Sequence, residues 1–199
     1  MRRTLAGWRG SVEPAEVPIP VLGNATMQID FDTLGAGQCY KLMVNLIVPR
    51  PIALITTLGE NGVVNAAPFS VFNMVGEDPP LLMVSINKLG DGAFKDTARN
   101  ILASAEFVVH IGDEACAIRL DATAAELPPE SSEVTLAGFT TTASTQVAPP
   151  RLNEPPVAFE CRLWETLESA SRYVFFGRLL VLHVRDGLVD LEKLRVDYD

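Results

Sequence analysis

The strongest constraint on the fold is a series of short apolar runs that are separated by turn-forming residues. Residues 52–57 are apolar and β-branched, glycines frame a turn over 59–62, and a return strand begins at Val63. The continuous apolar run 81–86 is typical of a strand that is buried on both faces, and 107–111 predicts another short strand. Many short strands with few helices indicate an antiparallel barrel or sandwich.

From Met27 onward the pattern is mostly strand, with one predicted helix over residues 94–105. Phe94, Ala98 and Ile101 recur there at helical spacing, and Asp96 falls in the first turn. Helical and strand patterns do not alternate regularly, and no GxGxxG follows the first strand. A doubly wound nucleotide-binding sheet is therefore disfavoured.

Proline-rich segments mark the irregular parts of the chain. Residues 1–25 are predicted to form an irregular arm, which is either disordered or laid over a neighbouring subunit. A long irregular excursion over 123–156 predicts a lid, a partner-contact element or disorder. Residues 157–163 and 173–184 then return to strand. Apart from the arm, we expect one domain over residues 26–199.

Charge and cysteine content exclude several functional classes. The 199-residue chain has a formal net charge of −9, which disfavours non-specific nucleic-acid binding through repulsion. The three cysteines are far apart and form no CxxC pair, which disfavours a zinc site and predicts buried free thiols in a reducing cytoplasm. No apolar run approaches the length of a membrane span. We therefore expect a cytoplasmic protein that binds neither nucleic acid nor membrane.

Polar loops between the apolar runs offer hydroxyls, amides and lysines. Residues 49–57 read PRPIALITT, 65–73 read NAAPFSVFN, 77–86 read EDPPLLMVSI and 95–101 read KDTARNI. This stretch offers neither a nucleophile beside a base nor a cluster of metal-ligating residues. Such a set is typical of a protein in which a bound anionic cofactor brings the chemistry.

In the order and spacing of these segments the chain resembles the flavin-reductase-like family. The matching features are the segment 49–57, Gly62, NAAPFS, the paired prolines at 79 and 80, and KDT closing on Asn100. Weaker similarity continues through 154–163 and 177–186. The resemblance implies a mainly β fold, the FMN-binding split β-barrel with a few short helices. It also implies a homodimer with FMN near the dimer interface.

The resemblance further implies an FMN-binding oxidoreductase, in which NADH or NADPH passes hydride to the flavin. The reduced flavin then serves a partner oxygenase or another acceptor. Two alternatives stay open: a non-enzymatic electron carrier or flavin-holding protein, and a β-barrel interaction protein without a cofactor. Many relatives carry a histidine shortly before the glycine matched by Gly177, whereas this chain has Arg172 and Tyr173 there.

The flavin phosphate is expected near the start of the predicted helix. Lys95 and Thr97 lie where free N–H groups and the helix dipole favour an anion. The alternative is a solvated lysine, with Asp96 or Thr97 acting as an ordinary helix cap. A second set follows a buried strand and either reaches the same phosphate or forms a plain surface turn: Ser85, Asn87 and Lys88.

The flavin ring and ribityl chain are expected against residues 65–70. Ala66 and Ala67 are small enough for a ring to approach the backbone, and Pro68 stiffens the loop. Two threonines that close the first strand either point into the same pocket or lie on an exposed strand face. The full predicted cofactor-binding set is Thr56, Thr57, Asn65, Ala66, Ala67, Pro68, Phe69, Ser70, Ser85, Asn87, Lys88, Lys95, Asp96 and Thr97.

The remaining conspicuous side chains are predicted to be structural. His110 and His183 lie in apolar strand patterns, which favours satisfied or edge-facing strand histidines over catalytic ones. Trp8 and Trp164 are candidates to cover an aromatic ring, but for Trp164 packing in the core is the favoured prediction. Arg50, between two prolines, resembles the family's arginine at that place. No catalytic residue and no metal ligand is predicted.

Overall fold

The computed structural model describes residues 26–90, 92–128 and 130–196, so the predicted arm over 1–25 lies outside them. The chain divides into two compact units, Met1–Leu46 and Ile47–Asp199. In the first unit a 3-10 turn, Phe31–Thr33, is capped by Asp30, whose side chain accepts the Asp32 N–H. It is followed by helix α1, Ala36–Leu46, in which no residue is buried. The expectation of mostly strand from Met27 onward is therefore wrong for this segment.

The second unit is built mainly from strands. Its strands are β1 Ala53–Leu58, β2 Val64–Phe69, β3 Phe72–Glu77, β4 Pro80–Asn87, β5 Glu106–Ile111, β6 Thr141–Thr142, β7 Arg151–Leu152, β8 Val157–Glu168, β9 Arg172–Val184, β10 Val189–Asp190 and β11 Arg195–Val196. Its helices are α2 Asp96–Ser104, α3 Ala117–Ala122 and α4 Glu133–Ala137, with a 3-10 turn at Glu114–Cys116.

Seven strands form one antiparallel sheet in the order β2-β1-β5-β8-β9-β4-β3. Strand β2, at one edge, also contacts β4, which lies next to the opposite edge. The sheet therefore coils until its two ends approach each other. The prediction of a mainly β, antiparallel, barrel-like fold is confirmed.

The main core fills the interior of this coiled sheet. Phe107 and Phe175 are fully buried, and helix α2 closes the core by burying Ala98 and Ile101 against β1, β2 and β5. Burying a side chain such as that of Ile101 stabilises the fold by roughly 1.5–3 kcal/mol. The predicted helix over 94–105 is confirmed, but it begins at Asp96.

A second core forms where the excursion over 123–156 packs back on the sheet. Helix α4, strand β7 and Phe139 bury apolar side chains against β1 and β2. The members of this core are Leu54, Ala66, Val134, Ala137, Phe139 and Leu152. The expectation of an irregular excursion is thus only partly right, because much of the segment is a packed wall.

Strands β8 and β9 form a long hairpin that contains a close packing contact. Gly177 in β9 faces the ring of the fully buried Phe107, and a Cβ added at Gly177 would overlap that ring. Along β8 the register shifts between Leu163 and Glu165. Trp164 lies in this bulge with 53% of its surface exposed. The prediction that Trp164 packs in the core is therefore wrong.

His110 is a fully buried, neutral histidine in β5. Its Nε2 accepts the Leu152 backbone N–H at 2.9 Å, so the proton resides on Nδ1, which donates to the Leu54 carbonyl at 3.0 Å. Burial lowers the pKa of His110 to about 4, and the positive charge of Arg151 acts in the same direction. The prediction of a satisfied strand histidine is confirmed.

The second histidine, His183, forms a hydrogen bond with the buried carboxylate of Glu160. Glu160 is 0% exposed and accepts three hydrogen bonds of 2.6 Å, from the backbone N–H groups of Thr145 and Gln146 and from His183 Nε2. Burial alone would raise the pKa of Glu160, but these three donors outweigh it and lower the pKa. Glu160, which lies in β8, therefore holds the loop at Thr145 and Gln146 against this strand.

Two of the three cysteines are buried as predicted. Cys116 and Cys161 are buried free thiols, and burial raises the pKa of both. Cys39 is only partly buried. Within the described ranges, no group of three or more His, Cys, Asp or Glu side chains is placed to hold a metal ion. Over the same ranges, no helix combines the length and apolarity needed to span a membrane.

Candidate functional site

A cavity of about 510 Å³ lies between strand β2, the start of helix α2 and the segment that leads into α4. Ligand sites in proteins usually measure about 300–1,000 Å³. The cavity is lined by Asn65, Ala67, Pro68, Phe69, Leu89, Ala93, Phe94, Lys95, Asp96, Thr97, Arg99, Thr123, Ala124, Ala125, Glu126, Leu127 and Glu133. Two of the predicted loops, 65–73 and 95–101, therefore meet at one concave site.

The start of helix α2 is not closed by a side-chain cap. Lys95 occupies the N-cap position with extended backbone angles, and its side chain makes no capping hydrogen bond. Asp96 instead pairs with Arg99, and Thr97 Oγ1 accepts a hydrogen bond of 2.9 Å from Asn65 Nδ2. The alternative of an ordinary Asp96 or Thr97 cap is therefore absent. Within the described ranges, no capping side chain satisfies the first-turn N–H groups of α2.

Two donors beside this helix start have no acceptor among the described residues. The Lys95 ammonium makes no ion pair with any of the described residues, and it is only half-buried. Thr97 is 1% exposed, and its hydroxyl oxygen accepts the hydrogen bond from Asn65. Its hydroxyl proton has no acceptor in the described part of the chain. A cation, a hydroxyl donor and free helix N–H groups together suit an anion, above all a phosphate.

Strand β2, an edge strand, forms a second wall of the cavity. Its backbone is capped by side chains of the excursion: Ser132 Oγ donates to the Val64 carbonyl, and Glu133 Oε2 accepts the Ala66 N–H at 3.0 Å. Pro68, two residues further along, has no N–H to satisfy. The small side chain of Ala67 lets a flat group approach this wall.

Apolar side chains cover the remaining side. Phe69, Leu89 and Phe94 line the cavity, and Phe94 stacks on Tyr173 with ring centroids 5.2 Å apart. Tyr173 donates to Glu168 at 2.8 Å, and this hydrogen bond raises the pKa of the Tyr173 phenol. The cavity thus combines an end whose donors suit an anion with a side lined by apolar side chains.

The structure brings together half of the predicted set. Asn65, Ala67, Pro68, Phe69, Lys95, Asp96 and Thr97 line the cavity. The other seven do not line it: Thr56, Thr57, Ala66, Ser70, Ser85, Asn87 and Lys88.

Most of these seven have internal partners. Thr56 is fully buried and donates to the Pro150 carbonyl at 2.7 Å, and the buried Thr57 accepts from Asn100 at 3.0 Å. Thus neither threonine presents its hydroxyl to the cavity or lies on an exposed strand face.

The second predicted phosphate set lies in the region of Tyr173. Lys88 Nζ forms an ion pair of 2.6 Å with Glu168 and lies 4.7 Å from the centroid of the Tyr173 ring. Ser85 accepts from Arg172, and the exposed Asn87 donates weakly to the Lys88 carbonyl. Ser70 Oγ lies 3.4 Å from Arg50 Nε.

The structure adds cavity residues that the sequence did not single out. Arg99 could have been found, because it lies in the matched KDTARNI run. Leu89 and Phe94 carry no signal beyond hydrophobicity. Residues 123–127 and Glu133 come from the excursion, and only the tertiary fold brings them to β2. A smaller cavity of about 270 Å³ adjoins the first and shares Asn65, Asp96 and Arg99 with it.

Comparison with known proteins identifies the family of the chain. Residues 44–194 match the model of the flavin reductase like domain. The uncharacterized protein YwrF of Bacillus subtilis is 42% identical over 168 residues, which cover 81% of this chain and 82% of that protein.

Two solved structures are similar in both sequence and fold. The 2-nitrobenzoate 2-nitroreductase NbaA of Pseudomonas fluorescens is 38% identical with a TM-score of 0.77, covering 85% of this chain and 82% of its own. Nitrilotriacetate monooxygenase component B from Bacillus cereus is 36% identical with a TM-score of 0.83, covering 87% and 88%. The coiled antiparallel sheet is a split barrel, the fold named for a structure from Shewanella frigidimarina that matches with a TM-score of 0.73 at 19% identity and covers 86% of each chain. The chain belongs to the flavin reductase-like family of oxidoreductases.

Proposed function

We propose that the chain binds FMN in the 510 Å³ cavity and acts as an NADH- or NADPH-dependent flavin reductase. The observation that carries the proposal is the Lys95 ammonium, which forms no ion pair with any described residue, beside the uncapped start of α2 in the same cavity as apolar side chains. Family membership supports a flavin, and the anion-binding end favours a flavin that carries a phosphate.

The residues present fit such a group. Lys95 and Thr97 supply a cation and a hydroxyl donor for the phosphate, and the first-turn N–H groups of α2 add to them. Ala67 and Pro68 allow a ring to lie against the β2 backbone, with Phe94 at the apolar side. When bound, FMN supplies the hydride-accepting ring. The protein supplies orientation and excludes water rather than acid–base groups.

We also propose a homodimer that hands reduced flavin to a partner oxygenase or another acceptor. Exposed apolar residues favour self-association: Met43 and Leu46 on α1 are 45% and 74% exposed, and Met74 on the edge strand β3 is 65% exposed. The relatives named as a monooxygenase component and as a nitroreductase suggest two acceptors to test, an oxygenase partner and a nitroaromatic compound.

Flavin titration tests the cofactor assignment. Charge-assisted hydrogen bonds contribute roughly 1.5–3 kcal/mol each, so two of them predict at least about a hundredfold preference for FMN over riboflavin. Equal affinity for the two flavins would remove the phosphate assignment.

Nicotinamide oxidation separates the reductase from a non-enzymatic electron carrier. Purified protein is mixed with FMN and with NADH or NADPH, and the loss of nicotinamide absorbance is followed. A flavin reductase turns over one of the two nucleotides, whereas a protein that binds FMN without oxidising either is a carrier.

Light scattering at micromolar concentration tests the homodimer. A monomer that still binds FMN would contradict it.

A further inference from the structure

Glu133 is a buried carboxylate in the cavity with one oxygen left unpaired. The residue is 6% exposed and begins helix α4. Its Oε2 accepts the Ala66 N–H at 3.0 Å. Its Oε1 has no hydrogen-bond partner within the part of the chain that the structure describes. Because Glu133 is among the lining residues, the unpaired oxygen is available to a molecule in the cavity.

This arrangement differs from that of the other buried carboxylate, Glu160. Glu160 is 0% exposed and accepts three hydrogen bonds from Thr145, Gln146 and His183. Both of its oxygens therefore have partners inside the protein, as buried carboxylates usually do. In Glu133 one backbone N–H is the single donor among the described residues, and Oε1 is not a fully buried atom, so this oxygen remains accessible from the cavity.

No cation among the described residues pairs with Glu133. Lys95 and Arg99 line the same cavity, but Arg99 pairs with Asp96 and no ion pair joins either residue to Glu133. At the start of α2 the charges of Asp96 and Arg99 offset each other and Lys95 adds a positive charge, whereas Glu126 and Glu133 of the excursion are both acidic. A ligand with an anionic end at α2 would meet Glu133 with a neutral part.

We propose that Glu133 is a ligand-binding residue whose unpaired oxygen accepts a hydrogen bond from a neutral O–H or N–H donor of the bound flavin. A flavin offers two such sources, the hydroxyls of the ribityl chain and the imide N–H of the ring. The inference rests on the proposed flavin site and deepens it, because it assigns a role to a residue outside the recognised motifs. The same carboxylate caps Ala66, so it joins the ligand to the edge strand β2.

The decisive variant is Glu133→Gln. The amide oxygen of glutamine can still accept the Ala66 N–H, but its NH2 group would then face a donor on the flavin. We expect the Kd for FMN to rise about tenfold or more, as loss of a hydrogen bond to a charged group predicts. The matched control is Glu130→Gln, which removes the same charge from an exposed position outside the cavity. Its Kd should stay within about twofold of the unaltered protein.

Titration with lumiflavin, which has the ring but no ribityl chain, distinguishes the two donors. If the variant weakens FMN, riboflavin and lumiflavin alike, Glu133 binds the ring imide. If it weakens FMN and riboflavin only, Glu133 binds the ribityl chain. Both outcomes support the inference.

The outcomes that overturn the inference differ from those that overturn the proposed function. If the unaltered protein binds no flavin, the proposed function fails and this inference fails with it. If the unaltered protein binds FMN and Glu133→Gln binds it equally well, only the role of Glu133 is refuted. If Glu133→Gln is unfolded in the absence of flavin, Glu133→Asp serves as the second variant. It keeps the negative charge but shortens the side chain by one methylene group. A folded Asp variant with unchanged FMN affinity then refutes the role, and weakened affinity supports it.

Discussion

The buried neutral His110 predicts that the free energy of unfolding falls as the pH is lowered. In the folded chain the pKa of His110 is about 4, because burial disfavours the imidazolium and Nε2 is occupied by the Leu152 N–H. In the unfolded chain the same side chain titrates near its ordinary pKa of about 6.5. Between these values the unfolded state binds more protons than the folded state, so acid favours unfolding.

The magnitude follows from the difference between the two pKa values. A difference of about 2.5 pKa units corresponds to a contribution of about 3.4 kcal/mol to the free energy of unfolding. This contribution is fully present above the pKa of the unfolded state and fully lost below the pKa of the folded state. Between about pH 7 and pH 5 linkage gives a loss of about 2 kcal/mol from His110 alone. The lowered pKa values of Asp113, Glu160 and Glu168 remove further stability only in more acidic solution.

The assay is urea unfolding of the cofactor-free protein at these two pH values, compared with His110→Gln. A glutamine can accept the Leu152 N–H and donate to the Leu54 carbonyl, but it does not titrate. We expect the variant to be less stable at neutral pH through altered packing. Its loss between about pH 7 and pH 5 should be smaller than that of the unaltered protein by about 2 kcal/mol. Equal losses in the two proteins would refute the assignment, and His183, present in both, cancels from the comparison.

Three further predictions concern binding, packing and the buried carboxylate. Lys95→Ala should weaken FMN binding about tenfold or more and leave riboflavin binding nearly unchanged, whereas Lys193→Ala, at an exposed i,i+3 pair, should change neither titration. Gly177→Ala should destabilise the fold by about 1–3 kcal/mol through overlap with the Phe107 ring, measured by urea unfolding. Adding Phe107→Leu should recover part of that loss, and an additive double variant would contradict the contact. Glu160→Gln should cost about 3 kcal/mol or more, because the removed charge leaves its donors poorly paired, and an unchanged unfolding midpoint would refute this.

The sequence predicts the sheet well where local pattern and tertiary position agree. Residues 52–57, 81–86 and 107–111 are β-branched or apolar runs, and β1, β4 and β5 lie there. Helix α2 lies where apolar residues recur at helical spacing, and of these Ala98 and Ile101 are buried whereas Phe94 and Leu102 are exposed. In contrast, α3 and α4 have only six and five residues, and the structure shows no side-chain cap at either start. Helices that short are stabilised by packing, which a local pattern does not record.

The site, like the fold, could be predicted from the sequence only in part. Asn65, Lys95 and Thr97 belong to segments that resemble the family, and the structure places all three in one cavity. Glu133 carries no local signal, because its significance comes from Ala66, which lies 67 residues earlier in the chain. Trp164 is exposed because a bulge in β8 breaks the alternation of faces, and such a bulge is not visible in the hydrophobic pattern.

The hydrogen bond between the Ala66 amide and the Glu133 carboxylate makes this amide a reporter of local opening at the cavity. Amides within the ladder exchange with deuterated water when strands separate, but the Ala66 amide is protected by the Glu133 carboxylate alone. Its exchange rate therefore measures how often helix α4 lifts from the edge of the sheet, independently of global unfolding. The neighbouring outward position, Pro68, has no amide and adds no competing signal. One backbone proton thus follows the opening of the cavity wall in solution, with or without a bound molecule.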